Sequence, residues 1–166
     1  PWFIKAAAEV HRQVPEARFA IAAFKREHAE MAGAELQKAG MTFPVEIHVG
    51  RTPMLISLAT CAMAVSGSVS LELMYHRTPT VILYKIGRFP YFVQQFFRKV
   101  KYITLVNLLS VKDPFDPDNT PYDPQQPDAA DVLFPEYLTC RDRSHDVAAH
   151  VVEWLPKPPN RTPCRD

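Results

Sequence analysis

The chain has 166 residues, enough for one ordinary domain around a single core, and its 47% hydrophobic and 22% charged residues are those of a folded globular protein. A formal net charge of +1 provides no whole-molecule field to draw in nucleic acid, which is not expected as a partner. The three cysteines, Cys61, Cys140 and Cys164, are far apart and contain no Cys-x-x-Cys pair, so they suit a reducing cytoplasm better than a disulfide framework or a zinc site.

In chain order, residues 2–14 have helical spacing, with Trp2, Phe3, Ala6, Ala7, Val10 and Val14 on one stripe and Pro15 ending the run. Residues 18–24 (RFAIAAF) suit a buried strand. A second helix runs to about residue 39 and stops at Gly40. Val45, Ile47 and Val49 alternate with Glu46 and His48, which is strand periodicity. Thr52-Pro53 reads as a capping hydroxyl followed by a first-turn proline, starting a short helix over 54–60. Residues 61–65 (CAMAV) form the next expected strand, and Ser66-Gly67-Ser68 a tight turn into a helix over 69–76. After Pro79 come a strand over 80–84, a helix over 89–100 and a last strand over 102–106. Residues 111–135 are rich in Pro and Asp and read as a long surface loop. A final helix covers 146–155, and 156–166 is a proline-rich tail, leaving 1–155 as the folded domain.

Strands alternating with helices imply right-handed crossovers and a Rossmann-like α/β fold, a parallel sheet with helices on both faces. Five strands are expected, and the first element is a helix. A doubly wound sheet of order 3-2-1-4-5-6 begins on its central strand, so that first strand is missing from this reading. The proline excess, sixteen against five glycines, and an opening Pro1-Trp2-Phe3 without an initiator Met suggest a portion of a longer protein.

With the first strand missing, residues 61–65 are the fourth strand, beside the point where strand order reverses and ligands bind. Gly67 lets an anion approach the backbone. Amides at the start of the following helix face it, with a dipole contribution of about 0.3–1 kcal/mol. Glu72, one turn further on, can accept both hydroxyls of a ribose. A plain strand–turn–helix connection with a solvated Glu72 explains the same pattern equally well.

Ser66-Gly67-Ser68-Val69-Ser70-Leu71-Glu72 resembles the Ser-Gly-Thr-Ala-x-Leu-Glu signature of the lipid-A-disaccharide synthase family. The order of later blocks is similar too. Thr78-Pro79 precedes a strand ending in Tyr84, and an aromatic segment begins at Phe89-Pro90-Tyr91. The run from Lys101 to Leu109 resembles the family's Tyr-x-Ser-Leu-Pro-Asn-Leu-Leu, and Phe134-Pro135-Glu136-Tyr137-Leu138 its Pro-Glu-Leu-Leu. The resemblance implies the UDP-binding C-terminal half of a B-type glycosyltransferase. Ser66, Gly67 and Ser68 would hold the diphosphate and Glu72 the ribose, with Tyr84, Asn107 and Glu136 completing the UDP site. It departs from the family at Lys85 (for Arg), Val106 (for Pro) and Thr139 (for Gln), which puts donor-side detail in question.

The implied reaction transfers 2,3-diacylglucosamine from UDP to 2,3-diacylglucosamine 1-phosphate with inversion, in lipid A biosynthesis. The partners are then the UDP-2,3-diacylglucosamine donor and a lipid acceptor. No cofactor or metal is implied. No catalytic base is evident and the acceptor half is not in these residues, so the chain alone is expected to be inactive. The alternatives are a UDP-sugar epimerase or another UDP-sugar transferase, and a non-catalytic nucleotide-binding module.

Phe89, Phe92, Phe96 and Val100 form a stripe closed by Arg98, Lys99 and Lys101. A core or interface stripe is the commoner reading; peripheral contact with the inner membrane from a cytoplasmic protein is the alternative. No apolar run approaches the roughly 20 residues that span a bilayer, and no leader of the secretory kind is expected. Asp113, Asp116, Asp118 and Asn119 invite a calcium site, but the glycine and closing glutamate of an EF-hand are absent. His145 and His150 are five apart, which does not put two ligands on one helical face.

Overall fold

The computed structural model describes residues 1–65, 67–87, 102–111, 123, 129 and 132–156. In order these form α1 (Trp2–Gln13), β1 (Phe19–Ala23), α2 (Arg26–Lys38), β2 (Val45–Val49), α3 (Thr52–Leu58) and β3 (Ala62–Ala64). There follow α4 (Val69–Tyr75), β4 (Thr80–Lys85), α5 (Leu105–Ser110), β5 (Glu136–Thr139) and α6 (Ser144–Trp154). Every strand pair is parallel. The expected Rossmann-like α/β fold is present.

Helix ends follow local chemistry. Helix α2 closes on Gly40 at φ 60, as a residue without Cβ allows. Helix α4 closes in the same left-handed way without a glycine. Arg77 takes φ 54 while its amide bonds Met74 O at 2.9 Å and the Thr78 amide bonds Leu73 O at 2.9 Å. At α3 the expected Thr52 cap is displaced by one residue. Arg51 is the N-cap, no side chain caps the helix, and Thr52 is already helical with Pro53 beside it.

Two cores lie on opposite faces of the sheet. On one, Ala6 and Val10 of α1 and Val147, Ala148 and Val151 of α6 pack on Val81, Leu83 and Tyr137. On the other, Ile56, Leu73, Val106 and Phe134 pack on Ile82. Strand β4 is therefore apolar at consecutive positions because alternate side chains enter different cores.

The last expected strand is corrected. Tyr102, Ile103 and Thr104 are not a strand; they lead into α5, whose N-cap Thr104 accepts from the Asn107 amide at 3.4 Å. A short run with three β-branched residues reads as either element, and the capping hydroxyl decides for helix. The fifth strand is instead β5, which pairs with β4 from Ile82↔Glu136 to Lys85↔Thr139. Its opening glutamate disguises a strand buried at three of four positions.

The sheet is in two hydrogen-bonded parts, β1-β2 and β3-β4-β5. The break falls where the reading of a missing first strand places it. The expected helix over 89–100, with Phe89, Phe92 and Phe96, lies outside the described residues, as do Ser66, the four candidate calcium ligands and residues 157–166. Among the described residues no helix is long and apolar enough to cross a membrane, and no cluster could hold a metal ion.

Candidate functional site

Parallel strands bring all their carboxyl ends to one edge, where side chains are left uncovered. Phe24, one residue past β1, is 75% exposed; Val49, Val65 and Tyr84, at the ends of β2, β3 and β4, are 46%, 46% and 42% exposed. The Gly67 bend lies on this rim. A Cβ added at Gly67 would meet no atom within 4 Å, so its backbone faces open space.

The bend is held from within. Ser70 donates both its amide, at 3.1 Å, and its hydroxyl, at 2.7 Å, to the Gly67 carbonyl, and the Leu71 amide reaches Ser68 O at 3.1 Å. Those bonds turn the Gly67 carbonyl into the helix. The amides of Ser68 and Val69 find no protein acceptor among the described residues. Glu72 is exposed; its carbonyl accepts from the His76 amide at 3.0 Å, while its carboxylate takes no hydrogen bond among the described residues.

The rim also carries cations that the sequence reading passed over. Lys25 and Arg26 follow β1, Arg51 follows β2, Lys85 ends β4 and Arg141 follows β5, all exposed. Ala23 pairs with Val49 at the end of the β1-β2 ladder, and Lys25 and Arg51 each follow two residues beyond that last pair. Each is also the N-cap of its helix, α2 or α3. A cation opposes the positive end of a helix dipole, and Ser, Thr, Asp or Asn is the favoured cap there. Both helices thus start on a residue whose charge opposes the helix dipole. The signal that could have found them is positional: a basic residue directly after each strand. Lys85 is partly committed elsewhere, its Nζ lying 4.9 Å from the centre of the Trp2 ring.

Asn107 and Glu136 meet, but in the interior. Glu136 is 2% exposed and Asn107 1%. Glu136 Oε2 accepts from the Thr104 amide at 3.1 Å, the Thr104 hydroxyl at 2.6 Å and Asn107 Nδ2 at 3.0 Å, while Oε1 accepts from the Ile103 amide. Asn107 also donates to Phe134 O at 2.7 Å and accepts from the Phe134 amide at 3.1 Å. Burial pushes the Glu136 pKa above the ordinary carboxylate value, and the donors around it pull the other way. The pair secures the first turn of α5 to the strand beside it.

Elsewhere, burial pushes the Cys61 thiol up to about 11, so it is an inert core group. His150 bonds the Tyr137 hydroxyl at 2.9 Å and stacks on Trp154, and among the described residues it belongs to no group of three or more side chains that could hold a metal ion.

Parallel strands alternating with helices, with every carboxyl end on one open edge, define the class: a Rossmann-like α/β protein. The family described as "Lipid-A-disaccharide synthetase" matches residues 1–116. The chain belongs to that family. It is 31% identical over 112 residues to the lipid-A-disaccharide synthase of Hahella chejuensis, covering 68% of this chain and 28% of the relative. Against the enzyme of Psychromonas ingrahamii it is 27% identical over 113 residues, 68% of this chain and 30% of the relative. Against that of Azoarcus sp. it is 27% identical over 132 residues, 79% and 34%. The chain thus spans about three-tenths of the length of the first two of these curated relatives. No solved structure matches it significantly.

Proposed function

We propose that the chain is the UDP-binding, C-terminal portion of a glycosyltransferase. That enzyme moves 2,3-diacylglucosamine from UDP to 2,3-diacylglucosamine 1-phosphate in lipid A biosynthesis. The family match supports the class of reaction. The observation that carries the role of these residues is the rim itself, where the open Gly67 backbone lies on the edge that bears Lys25 and Arg51.

In this reading Ser66, Gly67 and Ser68 hold the diphosphate and Glu72 accepts the ribose hydroxyls. Tyr84, half-exposed at the end of β4, covers the nucleotide. Asn107 and Glu136 serve the site by fixing the start of α5. Transfer with inversion breaks the bond between the anomeric carbon and the diphosphate oxygen, as the acceptor hydroxyl attacks the opposite face and gives up its proton. Charge builds on the leaving diphosphate, and amides and cations already aimed at it stabilise that charge without reorganising. The base that takes the proton belongs to another part of the enzyme, so this chain alone turns over no donor. The enzyme works in the cytoplasm, peripheral to the inner membrane, where both lipid substrates lie.

Calorimetry with UDP, against ADP as control, tests the reading. Binding of UDP in preference to ADP supports it. Equal binding of both, or of neither, removes the UDP site from these residues.

A further inference from the structure

Successive side chains of a strand alternate between faces, so β4 sends Val81, Leu83 and Lys85 to one side. Val81 and Leu83 belong to the apolar cluster covered by α1 and α6. Trp2, the first residue of α1, packs half-buried against the same cluster. Lys85 continues the row past the edge of that core, and its ammonium comes out on the rim 4.9 Å from the centre of the Trp2 ring. Gly67 and Lys85 each follow three residues beyond the Ala64↔Ile82 pair that closes the β3-β4 ladder, so the bend and the ammonium belong to the ends of neighbouring strands.

Two lysines meet the first turns of α1, and they are held differently. Lys5 is paired with the Asp142 carboxylate at 2.7 Å. Lys85 takes part in no ion pair or hydrogen bond among the described residues, and the Trp2 ring is its partner. A carboxylate fixes an ammonium and cancels its charge. An indole face fixes it through the ring quadrupole, carries no net charge and leaves the three N–H donors for an anion. Without such a face, a lysine head sweeps on its flexible four-carbon stem.

We propose that Trp2 is a positioning residue for sugar transfer: its ring holds the Lys85 ammonium at the rim, where that ammonium meets the diphosphate of the nucleotide sugar. The proposal rests on the reading of the rim as the donor site. Negative charge on the diphosphate grows as its bond to the anomeric carbon breaks. A point charge fixed in advance therefore acts more on the transition state than on the bound donor. Loss of Trp2 falls on kcat and hardly on KM.

A double-mutant cycle in the full-length enzyme tests this, with kcat and KM for the diacylated UDP-sugar donor read for each variant. Trp2→Leu keeps an apolar side chain against the core but removes the face; it lowers kcat about fivefold and moves KM less than about twofold. Trp2→Phe, which keeps a weaker face, recovers part of the loss. Lys85→Met lowers kcat at least about tenfold, and in that background Trp2→Leu has no further effect. Effects of the two substitutions that simply multiply overturn the proposal, because Trp2 then acts through packing alone. Unchanged kcat in Lys85→Met also overturns it, and since Lys85 is exposed that variant folds whatever becomes of Trp2→Leu. If Trp2→Leu does not fold, the cycle is run with Trp2→Phe and the same two results decide. UDP calorimetry on the unsubstituted enzyme separates the failures. UDP binding with multiplying effects removes the role of Trp2 and keeps the donor site; no UDP binding removes the donor site and this role with it.

Discussion

The Asn107 side-chain amide donates to Glu136 Oε2 at 3.0 Å, joining the first turn of α5 to the first residue of β5 across 29 positions of sequence. Around this contact the Glu136 carboxylate is met only by donors: two amides, one hydroxyl and one carboxamide.

Glu136→Gln turns one acceptor into an NH2 group facing those donors. It lowers stability by about 1–3 kcal/mol, the cost of leaving buried polar groups unsatisfied. Urea denaturation reads the change as a lower midpoint at constant slope. The folded pKa of Glu136 is raised, so its contribution to stability is complete below the unfolded value and is lost as pH rises through the folded value. In Glu136→Gln that part of the pH dependence vanishes. An unchanged midpoint and pH profile reject the role given to the carboxylate.

Arg77 occupies a position that glycine prefers, at φ 54 directly after α4. Arg77→Gly removes the left-handed strain but frees the unfolded chain, so stability rises by no more than about 1 kcal/mol. A destabilised variant shows that the Arg77 side chain does more than its backbone position reveals.

Asp142 ties two helices together. Its Oδ2 accepts from Lys5 of α1 at 2.7 Å and its Oδ1 from the Ser144 amide opening α6 at 3.0 Å. The Lys5 hydrogen bond, aided by Ser144, holds its pKa down at about 2, against 3.8 in the unfolded chain. The stabilisation is full above 3.8 and is lost as pH falls towards about 2. Solvent screens so exposed a pair, so its worth is below about 1 kcal/mol. Thermal melts from pH 5 to 2 therefore fall less steeply in Asp142→Asn than in the parent. Parallel curves rule the pair out as a source of acid sensitivity.

Burial lowers the His150 pKa below 6.5, against the pull of Glu153 and Asp146. The neutral ring's stabilising contribution is complete above 6.5 and is lost as pH falls through the folded value. Proton NMR of the ring gives a midpoint under 6.5 in the folded protein. Tyr137→Phe, which removes the hydroxyl partner, costs about 0.5–1.5 kcal/mol. A midpoint at or above 6.5 contradicts the burial argument.

Glu72→Ala separates site from fold. The Glu72 side chain is exposed and its carboxylate unbonded among the described residues, so the melting temperature stays where it is. UDP affinity falls by about tenfold, as when one hydrogen-bonded charge is lost. Unchanged affinity removes Glu72 from the nucleotide site.

The α/β class, the order of its first four strands, and the Gly67 bend at the end of β3 were legible in local pattern. Runs such as residues 81–83 are apolar at every position, and Gly40 punctuates where a helix must stop. Those signals are carried by neighbours in sequence, so one chain suffices to read them. Strand β5 and the start of α5 were not legible. A buried glutamate looks like a surface residue until Thr104, Ile103 and Asn107 arrive from some thirty positions away to satisfy it. That Lys25 and Arg51 both follow the same end of one parallel ladder was hidden likewise, because only the register ending at Ala23↔Val49 brings the two strand ends to one edge. Periodicity reports which face of an element is buried; which charges meet is decided by pairing across the sheet.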